Sequence, residues 1–467
     1  MKTVDIKSKV TFFVVLLMFA TSCDFLELES PNDLDADTFF KDAESAESAL
    51  IGLYSSLQNR SYYGADYVLI NEPLSGISVT GGFDNINIDE LGFQAVTPSN
   101  IIVEEMWYSI YNTIANANRL IEGLDKIDDP SFDSDRRDEI EGQARTIRAM
   151  AHFDLLRYFG EHWNTASAFG VPIVQTVQKI GDVEARSSVA ESYTFILDEL
   201  TDALELVNQD DRDPAFINGA TVHALLARVY LYKREYANAI THANAVIADG
   251  FNLLAAADYA KVFTNRQTSE SIFELAFDAQ NRSRFNSQTY SRPAALNTEV
   301  NFLAAKTLSD FFSDRAGDVR AGLVDFDPSN NDTSIQPNGR TQKYRGESSE
   351  DSPAYIIRLA EMYLILAEAK GRVTGLADLN ALRIQRGLAA LTAGDVPTDD
   401  AYRMAILDEI KAEFNFEGHY FFDLARVNEI KPGGVLDLDA FRAILPIPLR
   451  EITATKGVVV QNPGYAE

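Results

Sequence analysis

Cysteine occurs once in 467 residues, at Cys23. One cysteine cannot form an internal disulfide, so any fold this chain adopts is held by its core. Thiolate ligands for a structural zinc site are missing too. The five histidines, at 152, 162, 223, 242 and 419, are scattered and include no His-Glu-x-x-His pair, which sets zinc chemistry aside. Basic residues are in the minority: 41 Lys and Arg face 70 Asp and Glu, a formal charge of −29. Such a surface repels nucleic acid and anionic lipid headgroups, which are bound by clustered Lys and Arg. After residue 20 no apolar run approaches the ~20 residues needed to cross a bilayer. There is no G-x-S-x-G, P-loop or G-x-G-x-x-G. "DFDPSNNDTSIQ" (325–336) begins like a calcium loop but lacks Gly at its sixth place and Glu at its twelfth. That rejects an EF-hand and leaves only an irregular calcium site open. No cofactor is expected. No carboxylate pair stands out for acid–base work, so nothing in the sequence argues for catalysis.

What is present starts at the N-terminus. Lys2, Lys7 and Lys9 precede an apolar stretch from Val10 to Ala20, and Ala20, Thr21 and Ser22 lead into Cys23. This is the build of a secretory signal, too short for a membrane-spanning helix. A plain signal peptide leaves the cysteine unexplained. The segment resembles a bacterial lipoprotein signal, in which Cys23 becomes the lipidated first residue of the mature chain, although Ala20 stands where Leu is usual. Residues 1–22 are therefore read as signal, and the acidic "CDFLELESPNDLDAD" (23–37) as a tether. Removing the signal takes away three Lys and one Asp and leaves a charge of about −31. Lipid is then the only membrane anchor available.

From Ala43 the spacing is helical. Ala46, Leu50, Leu53, Tyr54 and Leu57 share one face, with Asp42 as N-cap. Apolar residues three or four apart predict long helices over 101–124, 136–160 and 187–207, the last opened by Ser188 with Glu191 as a capping box. Segment 218–249 places Leu226, Ala227 and Tyr230 before a short Lys-Arg-Glu turn, and Tyr236, Ala239 and Ala243 after it. That is similar to a tetratricopeptide helix pair, in which small residues let antiparallel helices approach. Segment 354–388 repeats the pattern with Ala360, Ala367, Ala369, Ala377 and Ala381. The fold expected over 38–467 is mainly α: a spine of degenerate helix pairs forming one domain, with large irregular insertions at 59–100 and 264–352 and a few short strands such as "SIFELAF" (271–277).

The insertions carry what a neutral polar ligand needs. A sugar presents apolar C–H faces, on which aromatic rings stack, and a rim of hydroxyls for Asn, Asp or Arg. In the first insertion Phe83, Asp84, Asn85 and Asn87 follow a Gly81-Gly82 turn. In the second, Arg284, Phe285, Asn286 and Tyr290 mix rings with polar groups in the same way. These eight residues are the expected ligand contacts. Tyr62, Tyr63 and Trp107 adjoin helical segments and are read as structural.

Four stretches together resemble the SusD/RagB family of outer-membrane lipoproteins of Bacteroidota. They are "TFFKDAESAESALIGLYSSLQ" (38–58) with "YYG" (62–64); "RTIRAMAHFDLLRYFG" (145–160) with "GVPIV" (170–174); "EFNFEGHYFFDLAR" (413–426); and "LPIPLREI" (445–452) with "QNPGY" (461–465). Tyr420 stands where the family usually has Arg. The resemblance implies a nutrient-binding lipoprotein that captures glycan at the cell surface beside a SusC-like TonB-dependent transporter. Peptide capture, as in some relatives, is the alternative within the family. Outside it, the rivals are a secreted helical glycosidase and a periplasmic repeat adaptor.

Overall fold

The computed structural model describes residues 39–80, 85–179, 181–289, 301–325, 339–344 and 351–466. Cys23, the signal segment and the tether lie outside these residues, as does most of 325–336.

Helix α1 (Ala43–Leu57) begins at Asp42, which accepts the Ser45 N–H while the Ser45 side chain accepts the Asp42 N–H. All five residues of its expected apolar face are buried. Helix α2 (Ile86–Gly92) is short. Helix α3 (Ile101–Leu124) is capped by Asn100, and α4 (Ser134–Phe159) by Asp133. Helix α5 (Val189–Leu206) carries the expected Ser188–Glu191 capping box. Helices α6 (Gly219–Tyr232) and α7 (Tyr236–Ala248) form the tetratricopeptide-like pair, with Leu226, Ala227, Ala239 and Ala243 buried between neighbours. Then follow α8 (Leu359–Gln385), α9 (Asp399–Phe414) and α10 (Tyr420–Arg426). Each long helix packs on the next along the spine: α3 on α4, α4 on α5, α6 on α7, α7 on α8 and α8 on α9. The apolar core they share is continuous from Phe40 to Val459.

Among the described residues are six short strands, five of them in the insertions, β1 (Ser78–Thr80), β2 (Ser271–Leu275), β3 (Phe302–Ala304), β4 (Val324–Asp325) and β5 (Arg340–Thr341), and β6 (Ala354–Arg358) just beyond the second. They pair antiparallel as β1–β3, β2–β6 and β4–β5.

Two expectations need correction. Segment 354–388 does not open on a helix. Its first five residues, "AYIIR", are all buried and pair as β6 with β2, which suits a β-branched and aromatic run. The remainder is the expected pair: two helices meet at Gly371, where φ is +72°, a left-handed conformation that favours glycine, and the second folds back so closely that a Cβ on Gly375 would lie 2.0 Å from Ala367 O. The first half of insertion 59–100 is not loose either. Residues 61–75 are buried, in a π-turn (Arg60–Gly64) and two one-turn helices (Asp66–Leu69, Asn71–Leu74). Asp154 of α4 holds them: its carboxylate accepts the hydroxyls of Tyr62 (2.6 Å), Tyr63 (2.8 Å) and Tyr67 (2.7 Å) and is bonded to Arg157. Tyr62, Tyr63 and Trp107 are structural, as the sequence suggests.

Candidate functional site

The two insertions meet at the β1–β3 ladder. Ser78 pairs with Ala304, Val79 with Leu303 and Thr80 with Phe302. Because the strands run antiparallel, the chain leaves β1 at Thr80 and enters β3 at Phe302 from the same end. The ladder is fastened by Ala305 N–H to Ile77 O (2.8 Å) and by the Thr307 hydroxyl to Gly76 O (3.2 Å). The third segment joins it where Ala304 N–H donates to Gly339 O at 2.8 Å. Thr80 of the first insertion and Phe302 of the second thus lie at one end of the ladder.

Helix α2 stands against that end. A Cβ on Gly92 would lie 2.1 Å from the Thr80 hydroxyl, so only glycine permits this approach. Asn85 caps the helix by accepting the Asn87 N–H (3.1 Å). Asn87 ties it to α3: its side-chain oxygen accepts the Ile101 N–H (2.9 Å), and its carbonyl accepts from Asn100 Nδ2 (3.0 Å). Asn100 also donates to Glu90 (2.8 Å). On this fixed mount Phe93, the residue closing α2, is 78% exposed and Ile86 is 71% exposed. Seven positions apart, they fall on one helical stripe. Ile101 continues the apolar surface beside a shallow hollow of about 430 Å³ bordered by Ser99, Glu104, Leu449 and Arg450. An uncovered ring on a helix braced by side-chain hydrogen bonds is suited to stacking on a sugar.

The expected contacts divide. Phe83, Asp84 and Tyr290 lie outside the described residues. Asn85 is exposed and Asn87 half-buried, both on the α2 mount. Arg284 is exposed, and its N–H donates to Gly64 O at 2.9 Å. Phe285 and Asn286 are corrected: both are fully buried. Phe285 stacks on Tyr344 with ring centres 4.4 Å apart, and Asn286 Nδ2 donates to Tyr344 O at 3.0 Å. They belong to a one-turn helix (Phe285–Thr289) that turns Arg284 outward and its successors inward. Reading polar neighbours as a sign of exposure failed there because a helical turn reverses direction within two residues. Phe93 was missed; the signal available was Gly92-Phe93, the same Gly-Phe step that drew attention to Phe83.

Beneath this face sit two shifted carboxyls. Burial pushes Asp66 up to about 6 against the pull of Arg60. Burial pushes Glu72 up to about 8 against the N–H groups of Phe416 and Gly418. Glu72 is fully enclosed, so a ligand on the face cannot reach it. Among the described residues no group of three or more His, Cys, Asp or Glu is arranged to hold a metal ion. No helix there is long and apolar enough to cross a membrane.

A helical-repeat scaffold carrying a face with an exposed ring fits a binding protein of the mainly α class. Comparison with known proteins gives the family. The chain belongs to the SusD/RagB family, a carbohydrate-binding family: residues 24–231 match the group described as starch-binding, associating with outer membrane, and residues 321–435 match the SusD family. It is similar to SusD-like protein P2 of Formosa agariphila, at 25% identity over 98% of this chain and 100% of the relative. SusD-like protein P25 of the same organism is 23% identical over 97% and 98%. The fold matches the crystal structure of a SusD superfamily protein from Bacteroides thetaiotaomicron, with TM-score 0.77, 24% identity, and 90% and 99% coverage. It also matches a laminarin-binding SusD-like protein, with TM-score 0.77, 21% identity, and 91% and 100% coverage.

Proposed function

We propose that this chain is a lipid-anchored, surface-exposed glycan-binding protein that passes oligosaccharide to a SusC-like TonB-dependent transporter. It acts without a cofactor and without cleaving its ligand. The observation that carries the reading is the exposed Phe93 ring on its braced mount, at the ladder end where both insertions meet. An exposed ring suits the apolar C–H face of a sugar, and no line of unpaired backbone groups is needed to hold it, so oligosaccharide is preferred over peptide. A neighbour of the same fold that binds laminarin supports the ligand class. Cys23 supplies the anchor, and the acidic tether keeps the domain clear of anionic headgroups.

The test is incubation of the mature chain with laminarin-derived and starch-derived oligosaccharides, followed by separation of bound from free sugar and analysis of chain length. Retention of at least one series at unchanged length is expected. Shortened products would make the protein a hydrolase and overturn the reading.

A further inference from the structure

On the helical side, remote in sequence from the α2 face, a second cavity of about 410 Å³ opens where the α6–α7 turn meets α8 at its break, α9 and α10. That volume lies within the ~300–1,000 Å³ of small-ligand sites. Arg234, Arg372, Arg403 and Arg426 line it, against Glu368 and Asp399. Four guanidiniums on one wall are unusual in a chain of net −29, and whether one is free to meet an anion depends on its partners.

The four guanidiniums are not equivalent. Arg426 is spent: it makes a two-bond pair with Glu368 and donates to Asp423 at 2.7 Å. Arg372 is paired with Asp399, a carboxylate 90% exposed, and a pair of that kind exchanges easily. Arg403 donates through both terminal nitrogens, to Asp400 and Glu429, while its Nε–H is shielded from solvent and has no partner among the described residues. Arg234 has no carboxylate partner among the described residues; its guanidinium donates to the Arg426 carbonyl at 3.1 Å. Arg234 also sits at φ +63°, just past the end of α6, where a left-handed backbone normally selects glycine. A long cation is held there at the expense of the local backbone. Beside it Tyr236 is 39% exposed, and Tyr402 completes the wall with its hydroxyl donated to Ala367 O.

We propose that this cavity binds an anionic saccharide, with Arg234, and Arg372 released from its exposed partner, taking its carboxylate or sulfate oxygens and Tyr236 lying along a ring face. Guanidinium-to-oxyanion bonds supply orientation, and the tyrosine distinguishes a sugar from a free inorganic anion. The site is separate from the α2 face and does not depend on it.

The experiment is calorimetric titration of the mature chain with trigalacturonate, with a sulfated trisaccharide and with uncharged maltotriose, at low and at high salt. At least one anionic ligand is expected to bind, more weakly at high salt. Arg234→Gly is the diagnostic variant. Glycine fits φ +63°, so melting should be unchanged or raised while affinity for the anionic ligand falls by about tenfold. Phe93→Ala should leave this binding intact, which separates the site from the glycan face. Which of the two acids binds identifies the anionic group. Binding of neither, or equal affinity of Arg234→Gly and the wild type, overturns the proposal.

Discussion

Glu72 shows what a single buried group does to the molecule. Its folded pKa is about 8, against an ordinary 4.5, because burial disfavours the carboxylate. Between those values the native state holds a proton that the unfolded chain has released. The stability it contributes is therefore fully present below about 4.5 and is lost as pH rises through about 8. Glu72→Gln keeps the shape without the titration. Urea unfolding at about pH 5 and about pH 8 should show the wild type losing a few kcal/mol relative to the variant. Parallel losses would contradict the assignment. His152 acts with the opposite sign. Burial pulls it down to about 3, and its neutral ring donates from Nδ1 to Arg148 O while Nε2 accepts the Val174 N–H. Its contribution is present above about 6.5 and is lost as pH falls toward 3. Neither shift was legible in the sequence, since each depends on partners brought in from other elements.

Among elements, helices with strong periodicity were the legible part. The boundaries of α3 and the caps of α1 and α5 follow from apolar spacing and local side-chain bonds, which are encoded within a few residues. The strand β6 was not, because its partner β2 lies some eighty positions upstream and a short apolar run does not declare its period. Nor was the way α9 is fastened. Glu413 accepts from Arg320 (3.2 Å), Arg358 (2.8 Å) and Arg386 (2.9 Å), all fully or almost fully buried, and they come from three different stretches of chain. Burial would raise this carboxyl, but the three guanidiniums outweigh it and hold it well below the usual range. Glu413→Ala would leave them underpaired in a dry site and should cost about 3–5 kcal/mol in chemical denaturation. A cost under about 1 kcal/mol would mean that water enters there. In the α6–α7 pair, Leu226→Asp should destabilise comparably by burying an unpaired charge. Near-wild-type melting of that variant would remove Leu226 from the core, where it is 1% exposed.

For the whole molecule, the fold class and family were readable because several motifs agree, while the proposed ligand face was outlined only as two insertions. The two insertions named from composition do converge on one ladder. The particular residues were harder: Phe285 and Asn286 turn inward, and Phe93 turns out. Whether a ring points to solvent depends on what packs behind it, here Gly92 against Thr80, and composition does not record that. Anchoring belongs to this scale too. Cys23→Ala should release the protein from membranes into the soluble fraction, since each buried acyl CH₂ contributes about 0.8 kcal/mol and the acidic domain offers no substitute. Retention after a high-salt wash would contradict the lipid anchor.

The most direct measurement is titration calorimetry of the wild type and Phe93→Ala with whichever laminarin- or starch-derived oligosaccharide the wild type retains. Phe93 lies outside the core, so the variant should melt within about 1 kcal/mol of the wild type. Loss of the stacking ring should weaken binding by about tenfold or more, in keeping with roughly 0.5–1.5 kcal/mol for an aromatic contact plus the area it covers. Equal affinity in a normally folded variant would place the glycan elsewhere and contradict the account.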